Sequence, residues 1–240
     1  MSIPRRQVAT ALAALLAFTA PLAARAEPIQ NVVLVHGAWV DGSGWRAVHD
    51  ILVSKGFHVT EVQEPETSFA ADIAATRRIL DLQDGPTLLV GHSYGGSVVT
   101  EAGVHPKVVG LVYVAAHAPD VGEDEATLGK RTPSGLARTP GAIARTPDGY
   151  TYLTASSQVP AAAEIFTTPL TAAAWRTKPS WGIVAGSDQI INPELERFYY
   201  QRAGSHVTVI KGASHSVYQS HAAQVAAVIE SAAREVGSGN

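Results

Sequence analysis

The 240-residue chain contains no cysteine, and its single methionine is residue 1. The first absence excludes a disulfide scaffold, a thiolate zinc site and a cysteine nucleophile. Charge is sparse too: 18 Lys and Arg against 21 Asp and Glu leave a formal net charge of -3 and an isoelectric point near 6.3. No run of basic residues exceeds two, so the chain offers a phosphate backbone no electrostatic footprint and no nucleic-acid partner is expected. At 46% hydrophobic residues it is too apolar for disorder, and it has no collagen-like glycine period.

Long hydrophobic runs are also missing. The apolar stretch at 8–20 is 13 residues long, short of the roughly 20 that span a bilayer. It follows Arg5-Arg6 and precedes Ala24-Arg25-Ala26, a small-x-small pattern. This reads as a secretory signal over 1–26, cut after Ala26, which predicts export to the periplasm or the medium with no membrane anchor after removal. The arginine pair admits the twin-arginine route, which Gln7-Val8-Ala9 match poorly, so the route stays open. The remaining 214 residues would carry 15 basic and 21 acidic side chains, a net charge of -6, and no sulfur. That length makes one domain able to bury a full core.

Within the mature chain, short β-branched runs alternate with helical patterns. Strands are expected at 32–35, 58–62, 87–90, 108–115, 181–185 and 207–210, and helices at 44–54, 68–82, 97–104, 193–202 and 216–236. Ser68 can cap the second helix, and Asn192-Pro193 supplies a cap followed by proline at the first helical position. The alternation predicts an α/β fold: a mostly parallel sheet of about six strands with helices on both faces. The strands are nearly all apolar, as strands covered on both sides should be.

Between about 119 and 179 the composition shifts to Thr, Pro, Ala and Gly, dividing the chain into core segments 27–118 and 180–240 and an insertion. A period of seven recurs inside it: Arg131-Thr132-Pro133, Arg138-Thr139-Pro140, Arg145-Thr146-Pro147. Prolines so spaced forbid one continuous helix. The segment is either a low-complexity surface insertion or a lid over a site at the carboxyl edge of the sheet.

Gly91-His92-Ser93-Tyr94-Gly95 matches G-x-S-x-G directly after an expected strand and before an expected helix. That setting forces the serine into a sharp, exposed turn. A serine hydroxyl needs a hydrogen-bonded base, itself oriented by a carboxylate. Chain order places the base after the last strand and the acid after the strand before it, which selects His215 and Asp188, with Asp120 as the competing acid. His206 at a strand start and His221 inside the final helix read as capping or surface residues, and His49, His58 and His105 precede the acid. His36-Gly37-Ala38-Trp39 leaves the first strand at the same edge. Backbone N–H groups of Ala38 and Tyr94 could serve as the two oxyanion donors, unless the stretch is a plain turn with Trp39 in the core. Trp39, Tyr94, Tyr150 and Trp175 are candidate walls of a small, largely apolar pocket.

This constellation, together with Gly42-Ser43-Gly44-Trp45, Gly186-Ser187-Asp188 and Ser214-His215, resembles the α/β-hydrolase superfamily over essentially the whole mature length. It is most similar to the small esterase branch of plant methyl esterases, hydroxynitrile lyases and bacterial esterases. The resemblance implies Ser93 as nucleophile, His215 as base, Asp188 as orienting acid, Ala38 and Tyr94 as oxyanion donors, a cap insertion, and no metal or organic cofactor. The plant lyases carry lysine after the histidine and threonine at the position of Gly37. Here Ser216 and Gly37 stand there, so nothing stabilises a departing cyanide. The expected activity is hydrolysis of a small carboxylic ester through an acyl-enzyme. A lactone, amide or peracid reaction on the same residues, or a hydrolase fold used only for small-molecule binding, are the alternatives.

Overall fold

The computed structural model describes residues 29–132 and 160–238. The segment 1–26 expected to be a signal, Tyr150 and the two later Arg-Thr-Pro units lie outside the described residues. Six strands form one all-parallel sheet: β1 (Asn31–Val35), β2 (His58–Glu61), β3 (Thr87–Ser93), β4 (Val108–Ala116), β5 (Ser180–Ala185) and β6 (His206–Ile210), in the order β2-β1-β3-β4-β5-β6. The helices are α1 (Arg46–Ser54), α2 (Phe69–Leu82), α3 (Gly95–Ala102), α4 (Glu125–Gly129), α5 (Pro193–Arg202), α6 (Val217–Ser220) and α7 (Ala222–Ser238).

Side-chain alternation along the inner strands sorts the core into two layers. Val33, Val35, Leu89 and Tyr113 face one side, with α2, α3 and α5. Val32, Leu34, Leu88 and Val112 face the other, with α1 and α7. The expected caps are present: Ser68 Oγ accepts from Ala71 N–H, and the Asn192 side chain accepts from Glu194 N–H ahead of Pro193.

Several expectations need correction. The strands are not all buried on both faces: β2 and β6 are edges, and Val207 and Val209 of β6 are each 43% exposed. β3 runs on through Gly91 to Ser93, because Gly91 still pairs with both Val35 and Tyr113. The helix expected over 44–54 opens as a 3₁₀ turn (Gly42–Trp45) capped by Asp41. The final helix is two helices: His221 sits at the junction with φ -126° and ψ 37°, hydrogen-bonded to Ser220, rather than inside one helix.

Of the insertion, the described part consists of α4, two 3₁₀ turns (Ala163–Phe166 and Ala174–Arg176) and an isolated bridge between Val121 and Leu170. It is tied to the core by Glu101 of α3, whose carboxylate accepts from the N–H groups of Thr171 and Ala172 (2.8 and 2.9 Å) and from the Thr171 hydroxyl. No helix among the described residues is long and apolar enough to cross a membrane.

In this order β1 and β3 are neighbours while their following connections leave in opposite directions, toward β2 and toward β4. Ligands of open parallel sheets bind outside the carboxyl ends of strands at such a switch point. The loop after β1 and the end of β3 carry His36–Trp39 and Ser93.

Candidate active site

Ser93 closes β3 with φ +54°, a left-handed value that a residue with a Cβ adopts only under constraint. The glycines of the motif supply the constraint. A Cβ on Gly91 would stand 2.5 Å from Gly95 O, and one on Gly95 would stand 2.3 Å from His36 O. Only bare backbone lets β3, α3 and the β1 loop meet this closely.

The Ser93 Oγ lies 2.8 Å from His215 Nε2, and His215 Nδ1 lies 2.6 Å from Asp188 Oδ2. A carboxylate only accepts, so Nδ1 carries the proton and Nε2 is free to accept from the Ser93 hydroxyl. His215 and Asp188 are 2% and 5% exposed, which keeps competing water from both. Asp188 Oδ1 accepts from Ile190 and Ile191 N–H at 2.7 and 3.0 Å. The competing acid, Asp120, is engaged elsewhere, in a two-pronged pair with Arg176 at 2.7 Å. Of the other histidines, His49 faces Glu61 and His105 faces Asp81.

Three supports were not read from the sequence. His92, the variable residue before the serine, is fully buried; burial and neighbouring His215 hold its pKa well below the usual imidazole value. Its neutral ring donates from Nε2 to the His215 carbonyl at 2.9 Å and lies over Tyr218. Its place inside the motif was the one available signal. His36 is likewise kept neutral by burial. Its Nδ1–H donates to Gly37 O at 2.9 Å, and its Nε2 accepts from Glu64 N–H at 3.0 Å. A trans peptide directs its C=O and N–H oppositely, so holding Gly37 O turns the Ala38 N–H the other way. A Cβ on Gly37 would stand 2.8 Å from Ser93 Cβ, so this peptide passes directly against the serine. Third, Glu66 Oε2 accepts from Trp39 N–H at 2.9 Å, fixing the left-handed turn at Trp39 (φ +63°). Periodicity gives no sign of Glu66.

Trp39 is 49% exposed rather than packed in the core, and its ring lies 5.0 Å from that of Phe166 in the insertion. Phe166 also touches Tyr94. Tyr94 is 1% exposed, its hydroxyl donating to Asp72 Oδ2 at 2.7 Å, and burial with that bond pushes its pKa upward. Trp175 donates from Nε1 to Pro119 O, and the Arg176 and Arg202 guanidinium groups lie over its ring; none of these contacts reaches Ser93, His215 or Asp188.

Buried acids surround the same edge. Burial, reinforced by Asp72, Glu66 and Glu125, pushes the Glu64 carboxyl well above its usual range. Burial also takes Glu66 up to about 7 against the opposing Trp39 N–H, and Glu125 up to about 8 against the Ser97 hydroxyl. Glu125 lies 3.4 Å from His117 Nε2, and burial presses that imidazole down to about 3, so the pair is neutral at pH 7. His117 N–H donates to Ser93 O at 3.1 Å, which places this pair beside the serine. No group of three or more His, Cys, Asp or Glu among the described residues is arranged to hold a metal ion.

A parallel sheet with a strained serine at its switch point, backed by aspartate and histidine from the loops after β5 and β6, defines a hydrolase architecture. The alpha/beta hydrolase family model matches residues 32–228, and the chain belongs to that family. It is 33% identical over 109 residues to a carbendazim hydrolyzing esterase of Nocardioides sp.; the match spans 39% of this chain and 44% of that relative, less than half its length. Among solved structures it is similar to a pyrethroid hydrolase from Sphingobium faniae JZ-2, with a TM-score of 0.70 and 20% identity over 86% of this chain and 98% of that one. A methylesterase from Arabidopsis superposes with a TM-score of 0.69 and 21% identity, over 86% of this chain and 100% of that one. These two likenesses are of fold.

Proposed function

We propose that the protein is a carboxylic ester hydrolase in which Ser93, His215 and Asp188 work through an acyl-enzyme. The reading rests on one observation above the rest: Ser93 Oγ, His215 and Asp188 are linked in series at 2.8 and 2.6 Å, with the serine held at φ +54°. His215 Nε2 takes the hydroxyl proton as Oγ attacks the carbonyl, and Asp188 stabilises the imidazolium that forms. Negative charge on the carbonyl oxygen falls between the N–H groups of Ala38 and Tyr94, the latter at the start of α3 where the helix dipole is positive. Collapse breaks the ester C–O bond, and the imidazolium protonates the leaving alkoxide. Water, deprotonated by His215, then cleaves the acyl-serine by the reverse route.

The relatives named for carbendazim, pyrethroid and methyl ester hydrolysis support an ester as substrate. Trp39, next to Ala38, and Phe166, whose ring lies tilted 5.0 Å from it, favour an apolar acyl or alcohol group. Purified protein should cleave short p-nitrophenyl esters and be labelled by a fluorophosphonate, and Ser93→Ala should lower kcat on the order of 10⁴-fold or more. Unchanged turnover in Ser93→Ala, or no labelling of folded protein, overturns the reading.

A further inference from the structure

Asp188 accepts three hydrogen bonds: from His215 Nδ1–H at Oδ2 and from the N–H groups of Ile190 and Ile191 at Oδ1. A carboxylate has about four lone-pair directions. Asp188 is only 5% exposed, so water does not fill the fourth. Against it stands Glu196, on the first turn of α5 and 0% exposed. Glu196 Oε2 accepts from Ala185 N–H at 3.0 Å, while Oε1 is buried with no donor among the described residues. Ala185 joins the two residues: its N–H donates to Glu196 Oε2 and its carbonyl accepts from Asp188 N–H, each at 3.0 Å, so the Asp188 side chain bears on the Glu196 carboxyl. Two carboxylates cannot meet in a dry pocket without a proton between them. Asp188, with three donors, is held as the anion; Glu196, with one, is the group that retains the proton.

We propose that Glu196 is a positioning residue of the site, which keeps a proton on Oε1 and donates it in a hydrogen bond to Asp188, fixing the carboxylate that orients His215. The inference rests on the Ser93, His215 and Asp188 reading. Burial is the main cause that holds Glu196 protonated. Asp188 adds to it, and the hydrogen bond from Ala185 N–H and Arg197 on the same helix oppose it.

Glu196→Leu removes the donor, whereas Glu196→Gln keeps one: its amide oxygen can accept from Ala185 and its NH₂ can donate to Asp188. In the pH profile of kcat/KM for a short p-nitrophenyl ester, Glu196→Leu should lose on the order of tenfold in kcat with little change in KM. Glu196→Gln should restore most of that loss and leave the acidic limb within about 0.3 pH units of wild type. A downward shift of about one unit in Glu196→Gln would mean that an ionised neighbour had been removed, and overturns the proposal; so does a Glu196→Leu variant with wild-type kcat. If Glu196→Leu does not fold, the limb position in Glu196→Gln decides alone. Titration of His215 by ¹⁵N NMR needs no turnover. Coincident curves for wild type and Glu196→Gln support the proposal and a downward displacement sinks it, while retained activity in Ser93→Ala instead sinks the triad reading.

Discussion

Among the described residues, four other than glycine have positive φ: Trp39, Glu66, Ser93 and Ala115, at +63°, +51°, +54° and +45°. Ser93 and Ala115 lie at the carboxyl ends of β3 and β4, and Trp39 and Glu66 in the loops that follow β1 and β2. Each such conformation costs about 1–3 kcal/mol in a residue with a Cβ. Ser93→Gly should therefore abolish ester cleavage yet raise the free energy of urea unfolding by about 1 kcal/mol, because glycine reaches this φ without penalty. A variant less stable than wild type would show that Ser93 is not strained. Ser93, Asp188 and His215 were legible because motif and chain order single them out. Glu66, Glu196 and Phe166 were not, since their roles depend on contacts with residues 27, 11 and more than 70 positions away that no local pattern encodes.

The elements read most clearly where one periodicity held from end to end. α2 and α5 appeared almost as expected because cap, apolar face and length agree. Errors arose where tertiary contacts override the local pattern: β3 gained Gly91 by pairing on both sides and His92 and Ser93 by pairing with β4, and the last helix broke where α6 packs against Trp45 and His92 through Tyr218 before α7 turns along the sheet. The insertion's Arg-Thr-Pro period matches neither a helix nor a strand, and at residues 171–172 it is held to the core by one α3 side chain. Glu101 is 5% exposed and accepts from two backbone N–H groups and one hydroxyl of residues 171–172. Glu101→Ala removes three bonds to a charged acceptor from donors that are only partly buried, and should cost about 1–2 kcal/mol in unfolding free energy. Hydrogen exchange at Thr171 and Ala172 should accelerate at the same time. Wild-type protection at both amides in that variant would show that the insertion is held by other contacts.

The whole molecule concentrates ionisable groups in its dry interior beside the switch point, which ties its stability to pH. Glu125 titrates at about 8 in the folded protein and near its ordinary 4.5 when unfolded. The folded state thus keeps a proton that the unfolded state has released, so the stability it contributes below pH 4.5 declines until pH passes 8. Glu66 acts in the same direction up to about 7. His117, pressed to about 3 from 6.5, acts oppositely: its contribution is present above 6.5 and is lost as pH falls toward 3. The two trends compete below 6.5. Between pH 7 and 8, His117 is neutral in both states, and Glu66 has passed its midpoint. Wild-type protein should accordingly lose stability over that unit, and Glu125→Gln, which still accepts from Ser97 but cannot ionise, should lose about 1 kcal/mol less. Urea unfolding of both proteins at pH 7 and pH 8 reads this difference. Equal losses in the two proteins would mean that Glu125 is already ionised at pH 7, with His117 charged to match it.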